Sequence, residues 1–192
     1  MDNNLSFTFR FFNKLNIIHN REKYGKISIF GIFGHVLFTL KKGICFKLAY
    51  YPALFPSIWF CKLRAVLWRK MGCRVGEDVC IGHSVGVDFG NTELVIVEDY
   101  VIITNGCTIL CHRRDMKDYK KYDEAWNLPY IYKPVILKKG CQLGMGTIVM
   151  PGVTIGEGAI IGARSVVTKD VPAWTIAAGS PCKVIKEIDE RP

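Results

Sequence analysis

Several common protein classes are excluded by what this sequence does not contain. Its eight cysteines (45, 61, 73, 80, 107, 111, 141 and 182) include no CxxC pair and no disulfide-like framework, so a reducing cytoplasm is expected and a disulfide-stapled secreted domain is not. No uncharged run reaches the roughly 18 residues of a spanning helix. Ile27–Leu40 and Leu48–Cys61 each have 14, and the second contains Pro52 and Pro56, so a transmembrane topology is not expected. No small-residue cleavage site follows the first run, so no secretory signal is read. Acidic residues are scarce in the first third: residues 1–74 hold 13 Lys/Arg against Asp2 and Glu22, or +11, while residues 75–192 hold 13 against 15, or −2. That basic block carries no zinc spacing, basic zipper or RNA-binding aromatic motif, which argues against nucleic acid.

The composition is that of a folded protein, 49% hydrophobic and 22% charged, and 192 residues suffice for one domain and an appendage. In the basic block Lys41, Lys42, Lys47, Lys62, Arg64, Arg69 and Lys70 alternate with Phe, Leu, Tyr and Trp. Two readings stay open: a helical cap with a solvated face, or a peripheral contact with anionic lipid, as interfacial segments make.

Periodicity carries the fold. Residues 137–172 read as six unbroken hexads, LKKGCQ, LGMGTI, VMPGVT, IGEGAI, IGARSV and VTKDVP. The same register recurs upstream as VGEDVC, IGHSVG and VDFGNT from Val75, then VEDYVI, ITNGCT and ILCHRR from Val97, for twelve hexads in four coils of three. An aliphatic residue every six positions cannot line one face of an α-helix. It suits a triangular parallel β-solenoid, with the aliphatic residue inside and small residues and glycine at the corners. Coils stacked about 4.8 Å apart would make a prism roughly 20 Å tall.

These hexads, and above all PGVTIGEGAIIGARSVVTKDVPAWTIAAGSPCKVIKEI from Pro151 to Ile188, resemble the hexapeptide-repeat acyltransferases of the maltose and galactoside O-acetyltransferase branch, over about Met71–Ile188. The resemblance implies a mainly β fold, a left-handed parallel β-helix, assembled as a homotrimer with sites between subunits. The division expected is a mostly helical basic and apolar cap region over 1–73, broken by Pro52 and Pro56, the β-helix over 74–173, and a partly helical tail over 174–192.

The repeat breaks after Ile109, where RRDMKDYKKYDEAWNLPYIYKP (113–134) reads as a projecting loop, and such loops inside compact repeats are usually functional. His112 stands at its base. In the resembled family the histidine here is the general base, and an imidazole suits proton removal from a hydroxyl attacking a thioester. The family's acyl-CoA contacts fall on Gly144, Met145, Ala163, Thr168, Lys169, Lys183 and Lys186, with the two last lysines facing the phosphates. A backbone N–H near Gly144–Met145 would hold the oxyanion.

Asp88 stands where sugar acetyltransferases carry an acceptor-contacting Asn, and reads either as an acceptor-binding carboxylate or as a corner residue. Gln142, Leu143 and Gly144 replace the family's frequent Trp-Ile-Gly. Tyr119, Tyr122, Trp126 and Tyr130 would stack on a sugar or pack on a neighbouring subunit. Cys111 should face inward if His112 faces outward, which argues against a cysteine nucleophile. His83 reads as a surface residue, and His19 and His35 carry no recognisable context.

The function expected is transfer of acetyl from acetyl-CoA to a hydroxyl of a saccharide or glycan precursor, by direct attack and without a metal. The rivals are streptogramin-type antibiotic acetylation, a γ-carbonic-anhydrase-like zinc protein, which two coil histidines do not supply, and a non-catalytic trimeric scaffold.

Overall fold

A computed structural model of the protein describes residues 5–14, 26, 28–51 and 60–190. Short strands follow one another around three parallel sheets in rotation. The first sheet stacks Arg74–Val75, Val95–Val97, Val135–Leu137 and Thr154–Ile155. The second stacks Cys80–Ile81, Ile102–Ile103, Gln142–Leu143, Ile160–Ile161 and Thr175–Ala178, with Lys183–Glu187 added antiparallel at its edge. The third stacks Gly86–Val87, Thr108–Ile109, Ile148–Val149 and Val166–Val167.

The hexad reading explains the burial. Leu137, Leu143, Val149, Ile155, Ile161 and Val167, the first residues of successive hexads, are all buried, as are the fifth residues Cys141, Thr147, Val153, Ala159 and Ser165. The two buried hydroxyls are satisfied locally, Thr147 donating to Gly144 O and Ser165 to Gly162 O, each at 2.7 Å. The fourth residue takes the turn, with φ of +67° at Gly140 and +70° at Gly146. That left-handed conformation is why glycine recurs there.

Three helices are described: α1 (Phe7–Lys14), α2 (Ile29–Tyr50) and α3 (Phe60–Met71). Pro52 and Pro56, expected to break this region, lie outside the described residues. The chain forms two compact units, Met1–Ile44 and Cys45–Pro192, divided within α2. In the second unit α3 buries Trp68 and Met71, and Arg69 donates to the first coil's exposed carbonyls, Val75 O at 2.7 Å and Gly76 O. A strand edge that would otherwise be open is thereby covered.

Two expectations are corrected. α2 is one helix of 22 residues that carries Lys41 and Lys42 inside it, so the apolar run ending at Leu40 does not mark the end of an element, and the helix is long and apolar enough by length and composition to cross a membrane. Lysine is a good helix former, and no proline intervenes before Pro52. The C-terminal tail is not helical either, because Thr175–Ala178 continues the second sheet and Lys183–Glu187 folds back on it.

Candidate active site

The stacking of coils creates the site. Gly86–Val87 pairs with Thr108–Ile109, and the Asp88 N–H continues that ladder to Ile109 O (3.1 Å), so Asp88 lies beside the residues that follow Ile109. Its Oδ2 accepts the Cys111 N–H (3.0 Å) and lies 2.5 Å from His112 Nδ1, while Oδ1 accepts from Asn91 Nδ2 (3.1 Å). The Asp88 side chain is 3% exposed and that of His112 is 40% exposed. A buried carboxylate therefore holds one ring nitrogen of a side chain that is itself part-exposed. Asp88, read from sequence as an acceptor contact or a corner residue, is buried at the turn after Gly86–Val87 and lies against His112. The His112–Asp88 pair was not foreseen.

His112 begins the projecting segment, which is an antiparallel hairpin: His112–Arg114 pairs with Tyr130–Tyr132. Tyr130 meets the imidazole edge-on with centroids 5.4 Å apart, and Tyr132 lies at 6.2 Å. Arg114 organises the loop between the strands by donating to Trp126 O (2.9 Å) and Leu128 O (2.5 Å) while lying 4.0 Å from the Tyr130 ring centroid. The Tyr122 and Trp126 side chains remain exposed.

Cys111 is fully buried, and burial together with the nearby Asp88 charge pushes its thiol up to about 12. A thiol so buried and held neutral is a poor nucleophile. Cys111→Ala is accordingly expected to keep turnover within about threefold of wild type, and Cys111 of the folded protein to resist iodoacetamide. Loss of activity on this substitution, with the fold retained, would return Cys111 to the chemistry.

The remaining sequence-predicted residues occupy two corners and one edge. Thr168 and Lys169 line a cleft of about 440 Å³ with Arg113, Lys133, Met150 and Asp170. Arg113 and Lys133, on the two strands' sides of the hairpin base, were not singled out from the sequence because they reach this cleft only through the pairing of the hairpin. This corner joins the third sheet to the first, as does His112.

Gly144, Met145 and Ala163 sit at the next corner, between the second and third sheets. Met145 lines a separate cleft of about 410 Å³ with Arg64, His83 and Asn105. At equivalent turns the N–H groups of Glu77, His83 and Lys139 donate to side-chain carboxylates or amides. Those of Met145 and Ala163 meet no acceptor among the described residues.

On the last strand Lys183 pairs with Ala178 and Lys186 with Ile176, with a register shift between them. That extra residue puts two lysines three positions apart on one face, whereas a regular strand would oppose them. Among the described residues no group of three or more His, Cys, Asp or Glu side chains is arranged to hold a metal ion.

Residues 134–169 match the family model "Bacterial transferase hexapeptide (six repeats)". Galactoside O-acetyltransferase of Escherichia coli (strain K12) is 29% identical over 147 residues, 67% of this chain and 70% of that protein. A protein of Schizosaccharomyces pombe named an acetyltransferase is 55% identical over 121 residues, 59% of this chain; the chain spans only 55% of that relative. The solved maltose O-acetyltransferase from Clostridium difficile 630 superposes with a TM-score of 0.57 over 80% of this chain and 89% of that one, at 24% identity, a likeness of fold.

Proposed function

The chain belongs to the hexapeptide-repeat acyltransferases, the acetyl-CoA-dependent enzymes of the galactoside and maltose O-acetyltransferase branch, and on that premise we propose that it acetylates a hydroxyl of a saccharide or glycan precursor with His112 as general base. The observation that carries this is the His112–Asp88 pair, an exposed imidazole whose Nδ1 lies 2.5 Å from a buried carboxylate oxygen. With its Nδ1–H donated to Asp88, Nε2 takes the proton of the acceptor hydroxyl as the oxygen attacks the thioester carbonyl. Asp88 offsets the charge of the imidazolium that forms. The Met145 N–H is the proposed donor to the oxyanion. Collapse of the tetrahedral intermediate expels the thiolate of coenzyme A, which takes the proton back from His112, and no acyl-enzyme forms.

His112 and the Met145–Ala163 pair lie at different corners of a three-sided coil. A single chain does not bring them together, and two adjacent subunits of a trimer would. The left-handed sense of the coil belongs to this same reading. Lys183 and Lys186, on one face of the last strand, suit the phosphates of coenzyme A.

The test is thiol release from acetyl-CoA across a panel of sugars, nucleotide sugars and streptogramin antibiotics. Acceptor-dependent release with a saccharide is the expected result, and release only with the antibiotics would replace the acceptor class. Lys183→Glu/Lys186→Glu is expected to raise the KM for acetyl-CoA by about tenfold or more while moving kcat far less, as loss of uniform binding does. An unchanged KM would remove the phosphates from that face.

A further inference from the structure

We propose that residues 29–44 of α2 are a docking helix that enters one leaflet of an anionic lipid bilayer. Ile29, Phe33, Val36, Leu37, Leu40 and Ile44 fall at i, i+4, i+7, i+8, i+11 and i+15, which places them on one stripe of the helix. All six are exposed, and Phe30 beside them is 88% exposed. Gly31, Gly34, His35 and Thr39 lie on the other side together with the exposed Phe38, and the Thr39 hydroxyl is satisfied by His35 O at 2.8 Å. A stripe this long and apolar, left in water, marks an interaction surface.

Charge selects the occupant. Residues 1–74 carry 13 Lys/Arg against two acids, and Lys41 and Lys47 on this helix are exposed. A second copy of the chain covering the stripe would bring two such blocks together, whereas anionic headgroups neutralise them. Each basic residue near such a surface improves partitioning by about fivefold.

Length selects the mode. The helix passes the size test for a membrane span, but its parts are committed differently. Beyond Lys41 and Lys42, Cys45 and Ala49 are buried in the core of the second unit, and Tyr50 O accepts the Ser84 N–H at 2.8 Å. The uninterrupted apolar segment is therefore Ile29–Leu40, which at about 1.5 Å per residue is roughly 18 Å long. A hydrocarbon core is about 30 Å thick. The segment lies along the interface of one leaflet with its stripe toward the acyl chains and Lys41 at the headgroups, and does not span.

The test is cosedimentation of the full-length protein with phosphatidylcholine vesicles, with and without about one-third phosphatidylglycerol. Binding at least about tenfold tighter to the anionic vesicles is expected, with a loss of at least tenfold in Phe30→Glu/Phe33→Glu/Leu37→Glu. Lys41→Gln, which disturbs no apolar contact, should weaken binding by a few-fold. Thermal unfolding of the triple variant at the wild-type temperature establishes that its fold is intact. Equal binding to neutral vesicles, or by the triple variant, would overturn the proposal. So would a fall in oligomeric mass of the triple variant without vesicles, which would make the stripe a contact between copies. Labelling of Ser28→Cys by an impermeant maleimide enclosed within the vesicles would overturn the one-leaflet mode by showing a span.

Discussion

His112→Ala is expected to lower acceptor-dependent turnover by about a hundred- to ten-thousandfold, the range for removing a general base. The KM for acetyl-CoA should move little, because no proposed donor contact involves the ring. Asp88→Ala should lower kcat by at least about tenfold, since it frees the ring to rotate, removes the countercharge and leaves the Cys111 N–H without its acceptor. The double variant should be no slower than His112→Ala alone, because a residue that acts through the ring has nothing left to act on.

Asp88→Asn should be milder than Asp88→Ala. The Cys111 N–H at 3.0 Å selects an acceptor at the Oδ2 position, so an asparagine would place its carbonyl oxygen there and keep an acceptor for His112 Nδ1–H. Its amide would then face Asn91, whose own amide can turn to present oxygen. What this substitution removes is the negative charge. Steady-state thiol release by the four variants checks the set, and losses from Asp88→Ala and His112→Ala that multiply fully would detach Asp88 from the ring.

How much of this could be read in advance depended on the distance over which each feature is encoded. The hexads carry the core because each is local: an aliphatic residue at the first position and a small one at the fifth suffice to bury Leu143 and Thr147. His112 was legible because it marks the place where that rhythm stops. Its partner was not, because Asp88 and His112 are 24 residues apart and meet only through the pairing of Val87 with Ile109, across a coil lengthened by the 3-10 turn Phe89–Leu94. Hexad counting alone does not supply that offset. The common face of Lys183 and Lys186 was hidden likewise, since it depends on a register shift that alternation forbids. For α2 the run length marked the apolar segment but not the helix, because two lysines interrupt apolar composition without interrupting the helix.

Gly144→Ala is expected to be among the most destabilising single-methyl additions in the coil, and Gly140→Ala separates its cause from the ordinary one. At Gly140 the backbone is left-handed, φ +67°, yet an added Cβ would meet nothing within 4 Å. Alanine there carries conformational strain alone, about 1–2 kcal/mol. At Gly144 no left-handed backbone is involved. An added Cβ would sit 2.4 Å from Ala163 N and 2.6 Å from Ile161 O, backbone atoms of the next coil. Gly144 N–H itself donates to that Ile161 oxygen at 2.8 Å, so the coils separate only by breaking the ladder.

Overpacking against backbone that cannot yield is expected to cost about 3 kcal/mol, the upper part of the usual range. In a chain of this size that lowers the unfolding temperature by roughly 6–12 °C, against roughly 2–8 °C for Gly140→Ala. Gly144 also precedes Met145, and its added Cβ would press on Ala163 N, so the same change should raise the KM for acetyl-CoA, which Gly140→Ala should leave alone. Calorimetry of the two variants beside their kinetics checks both statements. Equal stabilities would mean that the coils part more easily than their hydrogen bonds indicate, and a KM unchanged in Gly144→Ala would move the thioester away from this corner.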